Sequence, residues 1–111
     1  VYIMAEHVIE VTDAQFESEV INSNIPVIVD FFATWCGPCR MFAPIFHEIS
    51  EQFAGKVKFV KANVDDNQAA ASEHGVRSIP TIKFFKNGEV VATSIGSMSQ
   101  QQLIDFVNTN A

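Results

Sequence analysis

Val27-Ile28-Val29-Asp30-Phe31-Phe32 is an unbroken apolar run with one acid in it, and Ala33-Thr34-Trp35-Cys36-Gly37-Pro38-Cys39 follows directly. Six such residues in a row are the pattern of a central strand covered on both faces. The strand therefore delivers two cysteines to its own end, and they are the only two cysteines in 111 residues. A pair separated by two residues closes almost no loop, so it does little as a structural staple. Two thiols at that spacing can instead close a small disulfide ring and open it again, which points to redox chemistry.

Working outward, the flanks alternate between strand and helix signals. His7 to Val11 reads as a short β-branched strand. Thr12-Asp13-Ala14-Gln15 has the form of a capping box, and Phe16 and Val20 follow at helical spacing. Beyond the cysteines, Met41 to Phe53 shows a helical stripe of Phe42, Ile45, Phe46, Ile49 and Phe53. Pro44 lies inside this stripe, and Gly55 follows as a stop signal. Val57 to Val64 reads as another strand, and Asp66 to His74 as a short Ala-rich helix ending before Gly75. Thr81 to Phe85 and Glu89 to Ile95 flank Asn87-Gly88, a strong hairpin signal. Ser99-Gln100-Gln101-Gln102 is a second capping box, opening a final helix that buries Leu103, Phe106 and Val107.

The resulting order, β-α-β-α-β-α-β-β-α, places parallel crossovers first and an antiparallel hairpin last. It predicts an α/β fold of three layers, α/β/α, with a central mixed sheet of five strands and four helices. One domain over 1–111 is expected, with 1–5 as a disordered or appended extension; there are no repeats or linker-like stretches.

Composition narrows the function classes. Thirteen acids against seven bases give a net charge of -6, which argues against nucleic-acid binding, since that needs clustered cations. The Phe residues follow strand and helix periods, so they are core and not a platform for stacked bases. No apolar stretch approaches the roughly 20 residues needed to span a bilayer. The first residues show neither a basic nor an apolar segment of a secretory signal. A single close cysteine pair fits a reducing compartment, so a cytoplasmic place is expected, an organelle after removal of a leader being the alternative. Zinc needs about four ligands. Beyond the two thiols the chain has only His7, His47 and His74, none at finger spacing.

A helix that begins at the cysteine motif sets Cys36 at its first turn, where free amide hydrogens and the helix dipole favour a thiolate. Cys39 lies three residues on, one turn further in. Cys36 is then the attacking thiol and the deeper Cys39 the resolving one. Pro38 suits the start of a helix, where its missing amide hydrogen is not needed. Gly37 and Pro38 bring no charge to steady the Cys36 thiolate, so the dithiol should give electrons rather than take them.

Asp30 sits within an apolar strand, where desolvation raises a carboxyl pKa and suits it to hold or pass a proton. Lys61 shares a strand face with Val57 and Phe59, and two opposite charges in adjacent central strands can meet. Equally, Asp30 can simply satisfy backbone donors and Lys61 can extend its head to solvent. The pattern leaves both readings open. His47 and His74 fall on helices with no recognisable partner and are not assigned to catalysis.

Taken together, the chain resembles the thioredoxin family from about His7 to Asn108. The resemblance rests on Val29-Asp30-Phe31, Ala33 to Cys39, Met41, Ala43-Pro44, Val60-Lys61, Asp65, Ile79-Pro80-Thr81, Phe85-Lys86-Asn87-Gly88-Glu89 and Gly96. It implies a cis peptide bond before Pro80. It also implies an apolar docking surface made of Trp35, Gly37, Pro38, Ile79, Pro80 and Gly96, where the Ile79 backbone pairs with an extended target. Asp30 and Lys61 match the family's buried acid and its lysine neighbour, which favours proton handling.

The implied activity is that of a protein disulfide reductase with no bound cofactor. Its electrons would come indirectly from NADPH, through a separate flavoprotein, a thioredoxin reductase. The implied targets are disulfide-containing proteins such as peroxiredoxins, methionine sulfoxide reductases and ribonucleotide reductase, and the implied state is a monomer with no nucleic-acid or membrane partner. A disulfide isomerase or oxidase domain, and a partner-binding module without redox function, are the alternatives. Three positions depart from the common pattern: Phe32 stands where many bacterial members carry Trp, Arg40 replaces a common Lys, and Ser94 replaces another Lys.

Overall fold

The computed structural model describes the backbone of residues 2–5 and 7–111, and side chains from residue 7 onward. Its elements in chain order are β1 (Tyr2–Ala5), β2 (Val8–Val11), α1 (Asp13–Phe16), β3 (Val27–Phe32), α2 (Gly37–Ser50), β4 (Lys58–Asn63), α3 (Gln68–Glu73), β5 (Thr81–Lys86), β6 (Glu89–Ile95) and α4 (Gln100–Asn110). The strands form one mixed sheet in the order β1-β2-β4-β3-β5-β6. β2, β4 and β3 run parallel, whereas β3, β5 and β6 are antiparallel.

The five expected strands and four helices are all present, and one expectation is corrected. Tyr2–Ala5 is not an unstructured extension. It pairs antiparallel with β2 and makes a sixth strand at the sheet edge. Main-chain bonding to the open edge of β2 orders the segment, a contribution that side-chain patterning does not signal.

The helices cover both faces of the sheet, and this explains the unbroken hydrophobicity of β3, all of whose residues are buried. On one face Val8, Ile28, Phe59, Ile82 and Phe84 pack with Phe42, Phe46 and Ile49 of α2 and Leu103 and Val107 of α4. On the other, Val29, Phe31, Val60 and Phe85 pack with Phe16, Val20, Ala70 and Ala71. Successive strand residues point to opposite faces, so Asp30 lies on the α2 and α4 side with Ile28.

Local chemistry sets the element ends. In the first capping box, Gln15 Oε1 accepts from the Thr12 amide at 2.9 Å and from its hydroxyl at 2.8 Å. The helix then widens into a π-helical turn over Glu17–Ile21, in which the Asn22 amide donates to the Glu17 carbonyl at 2.9 Å. The second box is complete: the Gln102 amide donates to Ser99 Oγ, and the Ser99 amide to Gln102 Oε1. The β5–β6 turn uses φ of 53° at Asn87 and 80° at Gly88, both left-handed, as a two-residue hairpin turn of this hand requires. α2 is longer at its start and shorter at its end than its apolar stripe suggests. It opens at Gly37 and gives way at Ser50 to a 3-10 turn over Glu51–Phe53.

Candidate active site

The α2 helix begins where β3 has just ended, so the two cysteines stand at the carboxyl end of a central strand and the amino end of a helix. Cys36 is the N-cap residue, in extended conformation, and Pro38 lies in the first turn. Cys36 and Cys39 are joined as a disulfide, their Cα atoms 5.3 Å apart. The Cys39 amide donates to Cys36 Sγ at 3.2 Å, so the sulfur of Cys36 takes a role that a serine or aspartate oxygen often fills. A reduced Cys36 therefore meets both a hydrogen bond and the positive end of the helix dipole, which favour its thiolate.

Exposure separates the two cysteine residues much less than chain position suggests, at 6% for Cys36 and 2% for Cys39. The asymmetry lies in their partners. Cys36 Sγ accepts the helix amide and lies 3.8 Å from the carbonyl oxygen of Ile79. Both cysteines share a cluster with Phe32 and Ala33, but only Cys39 lines the cavity beside Lys61.

Around the disulfide the structure gathers residues that are far apart in sequence. The Ile79–Pro80 peptide bond is cis. The Gly96 amide donates to the Pro80 carbonyl at 2.8 Å, tying the end of β6 to the loop before β5. Trp35 is 67% exposed and its indole nitrogen donates to Asp65 Oδ2 at 3.1 Å. Asp65 is in turn fixed by its own amide, which donates to Asn63 Oδ1 at 2.9 Å. Sequence reading assigned no role at the site to Asp65. The contact spans 30 residues and no periodicity signals it. Arg40 donates to the Thr34 carbonyl at 3.0 Å, bracing the turn that leads into the cysteines.

On β3, the strand that leads to the cysteines, Asp30 is fully buried, and neither carboxyl oxygen has a hydrogen-bond partner among the described residues. Burial pushes its pKa up to about 7, against a smaller opposing pull from the Lys61 charge. Strand register sets Asp30 opposite Lys61. Lys61 is also buried, and its Nζ lies 4.2 Å from the centroid of the Phe32 ring, a cation–π contact. A cavity of about 180 Å³, lined by Phe32, Cys39, Arg40, Ala43 and Lys61, connects the ammonium's surroundings with the inner cysteine.

Two further groups belong to this neighbourhood. Glu10 on β2 is in register with Lys61 on the side away from Asp30. Its carboxyl pKa is raised by partial burial, with Lys61 pulling it down and Asp66 pushing it up. A signal for Glu10 existed: it shares a strand face with the core residue Val8. His47 on α2 has an Nε2 atom that is buried without a hydrogen-bond partner among the described residues. His74, by contrast, lies on the opposite face of the sheet, its ring 5.7 Å from Phe16 and 5.2 Å from Phe85 between centroids. No group of three or more His, Cys, Asp or Glu side chains among the described residues is arranged to hold a metal. No helix there is long and apolar enough to cross a membrane.

The thioredoxin family profile matches residues 7–109. The chain is 56% identical over 101 residues to a thioredoxin of Haemophilus influenzae, covering 91% of this chain and 94% of that one. It is 47% identical over 107 residues to a thioredoxin of Pseudomonas aeruginosa, with 96% and 99% covered. A thioredoxin of the alga Pyropia yezoensis is 52% identical over 99 residues, with 89% and 92% covered. With a redox-active cysteine pair at the amino end of α2 and a match along nearly its whole length, the chain belongs to the thioredoxin family of thiol–disulfide oxidoreductases.

Proposed function

We propose that the protein reduces disulfides in other proteins and is itself re-reduced by a separate NADPH-dependent thioredoxin reductase. The observation that carries this reading is the Cys39 amide on Cys36 Sγ at the start of α2, with only Gly37 and Pro38 between the cysteines. The helix start activates Cys36, and Gly37 and Pro38 add no charge of their own to over-stabilise its thiolate, so the reduced protein remains a donor.

In the forward reaction the Cys36 thiolate attacks one sulfur of a target disulfide. A mixed disulfide forms, and the target's other sulfur departs as a thiolate and takes a proton. Cys39 then loses its proton, received by Asp30 in its carboxylate form, directly or through the cavity beside Lys61. The Cys39 thiolate attacks Cys36 Sγ, the mixed disulfide breaks, and the second target thiolate leaves. Two electrons have passed to the target, and the protein is left with the Cys36–Cys39 disulfide. An Asp30 pKa of about 7 lets one carboxyl hold and release a proton near neutrality.

Trp35, Gly37, Pro38, Ile79, Pro80 and Gly96 would receive the target as an extended segment alongside Ile79, and disulfide-bearing proteins would be its partners. A reducing compartment, the cytoplasm, suits this role. The test is NADPH oxidation coupled to reduction of a protein disulfide such as insulin, with a bacterial thioredoxin reductase present. Turnover that depends on both Cys36 and Cys39 is expected. Failure to reduce the disulfide even after chemical reduction of the dithiol would overturn the reading.

A further inference from the structure

The cavity of about 180 Å³ beside the inner cysteine is unevenly lined. Phe32, Ala33 and Ala43 give it an apolar wall, and Lys61 and Arg40 bring it two cations. Lys61 is 4% exposed. Its ammonium rests on the Phe32 ring and has neither a hydrogen-bond acceptor nor an ion-pair partner among the described residues. The acids in register with it on either side do not serve. Both Asp30 oxygens are without a hydrogen bond, and Glu10 forms no ion pair with it. A ring face meets one side of an ammonium and leaves N–H donors unmet, and a buried charge in that condition is costly until an acceptor reaches it. Arg40 uses one N–H on the Thr34 carbonyl at 3.0 Å, which holds the guanidinium beside the cavity and leaves its other donors available.

We propose that this cavity binds one small monocarboxylate anion, its carboxylate between Lys61 and Arg40 and its short apolar tail against Phe32 and Ala43. The charge follows from two cations with no acid among the lining residues. A guanidinium fork bonds carboxylate and phosphate alike, but a strongly hydrated phosphate would turn oxygens to an apolar wall that cannot bond them. The size follows from the volume, which is below the roughly 300 to 1,000 Å³ of sites for drug-sized ligands. Cys39 lines this cavity and Cys36 does not. An occupant therefore closes the route beside Lys61 to the Cys39 proton and should slow the resolving step. That consequence rests on the reading of Cys39 as the resolving thiol; the binding does not.

The experiment replaces sodium chloride with sodium acetate at constant ionic strength and about pH 6, where Asp30 holds its proton. NMR follows the amides of Ala33, Cys39 and Ala43 in the full-length oxidised protein, with no target or reductase. Acetamide, the uncharged analogue, is run in parallel. Acetate should give saturating shifts confined to the cavity, and acetamide none. Lys61→Met should weaken binding about tenfold or more, the loss of one charge-assisted hydrogen bond, and Arg40→Gln several-fold. Shifts that do not saturate, equal shifts with acetamide, or binding unchanged in Lys61→Met mean that water alone serves the ammonium and overturn the proposal. If Lys61→Met does not fold, binding unchanged in Arg40→Gln overturns it instead. A second arm measures resolution of a Cys36 mixed disulfide, which saturating acetate should slow at least about twofold relative to chloride. An unchanged rate with binding established overturns the effect on Cys39 and not the site.

Discussion

Asp30 and Lys61 are direct neighbours across two parallel strands, yet the Lys61 ammonium lies over the Phe32 ring and leaves both Asp30 oxygens without a hydrogen bond. An acid and a base in adjacent core strands would ordinarily be read as a buried ion pair. Here the acid is held above its ordinary range by burial instead, and its partner's charge only moderates that effect.

Stability should therefore depend on pH through Asp30, with a definite sign. Its folded pKa of about 7 lies above the ordinary 3.8, so between those values the folded state binds a proton that the unfolded state has lost. Stability falls as pH rises through this window, and above about pH 7 the fold bears a cost on the order of 4 kcal/mol at 1.36 kcal/mol per pH unit. Asp30→Asn removes that cost. Denaturant melts of the oxidised protein should show the variant more stable than wild type at pH 8, with the gain shrinking towards pH 4. A variant less stable at pH 8 would contradict the account.

The same substitution should slow the chemistry. Without a carboxylate to receive the Cys39 proton, the resolving step should fall by about 10- to 100-fold near neutral pH, the range of a lost general base. Single-turnover reduction of a model disulfide across pH measures it, and a wild-type rate at every pH would make Asp30 structural only.

The partners of the two sulfurs predict their division of labour. Cys39→Ser should accumulate mixed disulfides with target proteins through Cys36, and Cys36→Ser should trap almost none. Non-reducing gels of the two variants after exposure to oxidised targets decide it. Equal trapping would refute the assignment.

Asp65 is expected to hold the exposed Trp35 ring in place through the 3.1 Å hydrogen bond. Asp65→Ala should leave folding within about 1 kcal/mol of wild type, as for a surface hydrogen bond. It should also lower the fluorescence anisotropy of Trp35, the chain's single tryptophan, and reduce kcat/KM for protein disulfides several-fold. Unaltered anisotropy would show that the bond does not restrain the ring.

Gly88 combines a φ of +80° with a position where an added Cβ would come within 2.9 Å of the Ile21 carbonyl oxygen. Gly88→Ala should cost about 1 to 3 kcal/mol by thermal or chemical melts, from left-handed strain and the clash together. A neutral substitution would mean that the hairpin tip can shift away from Ile21.

The sequence by itself determined the parts whose physics is local or periodic. The buried strand before Cys36, both capping-box sites, the Asn87-Gly88 hairpin and the helical stripe of Phe42, Phe46 and Ile49 are set by spacing and backbone preference, so they could be read directly. The dithiol was legible because its two members are neighbours in the chain. Family resemblance, not spacing, pointed to the cis bond at Pro80. Only the tertiary structure decided the rest. Register between strands distant in sequence set Glu10 beside Lys61, and a 30-residue reach brought Asp65 to Trp35. The edge strand Tyr2–Ala5 is likewise made by main-chain bonding to β2, which any side-chain pattern can accept. Contacts of this kind depend on where the folded chain returns in space, and hydrophobic periodicity does not carry that information.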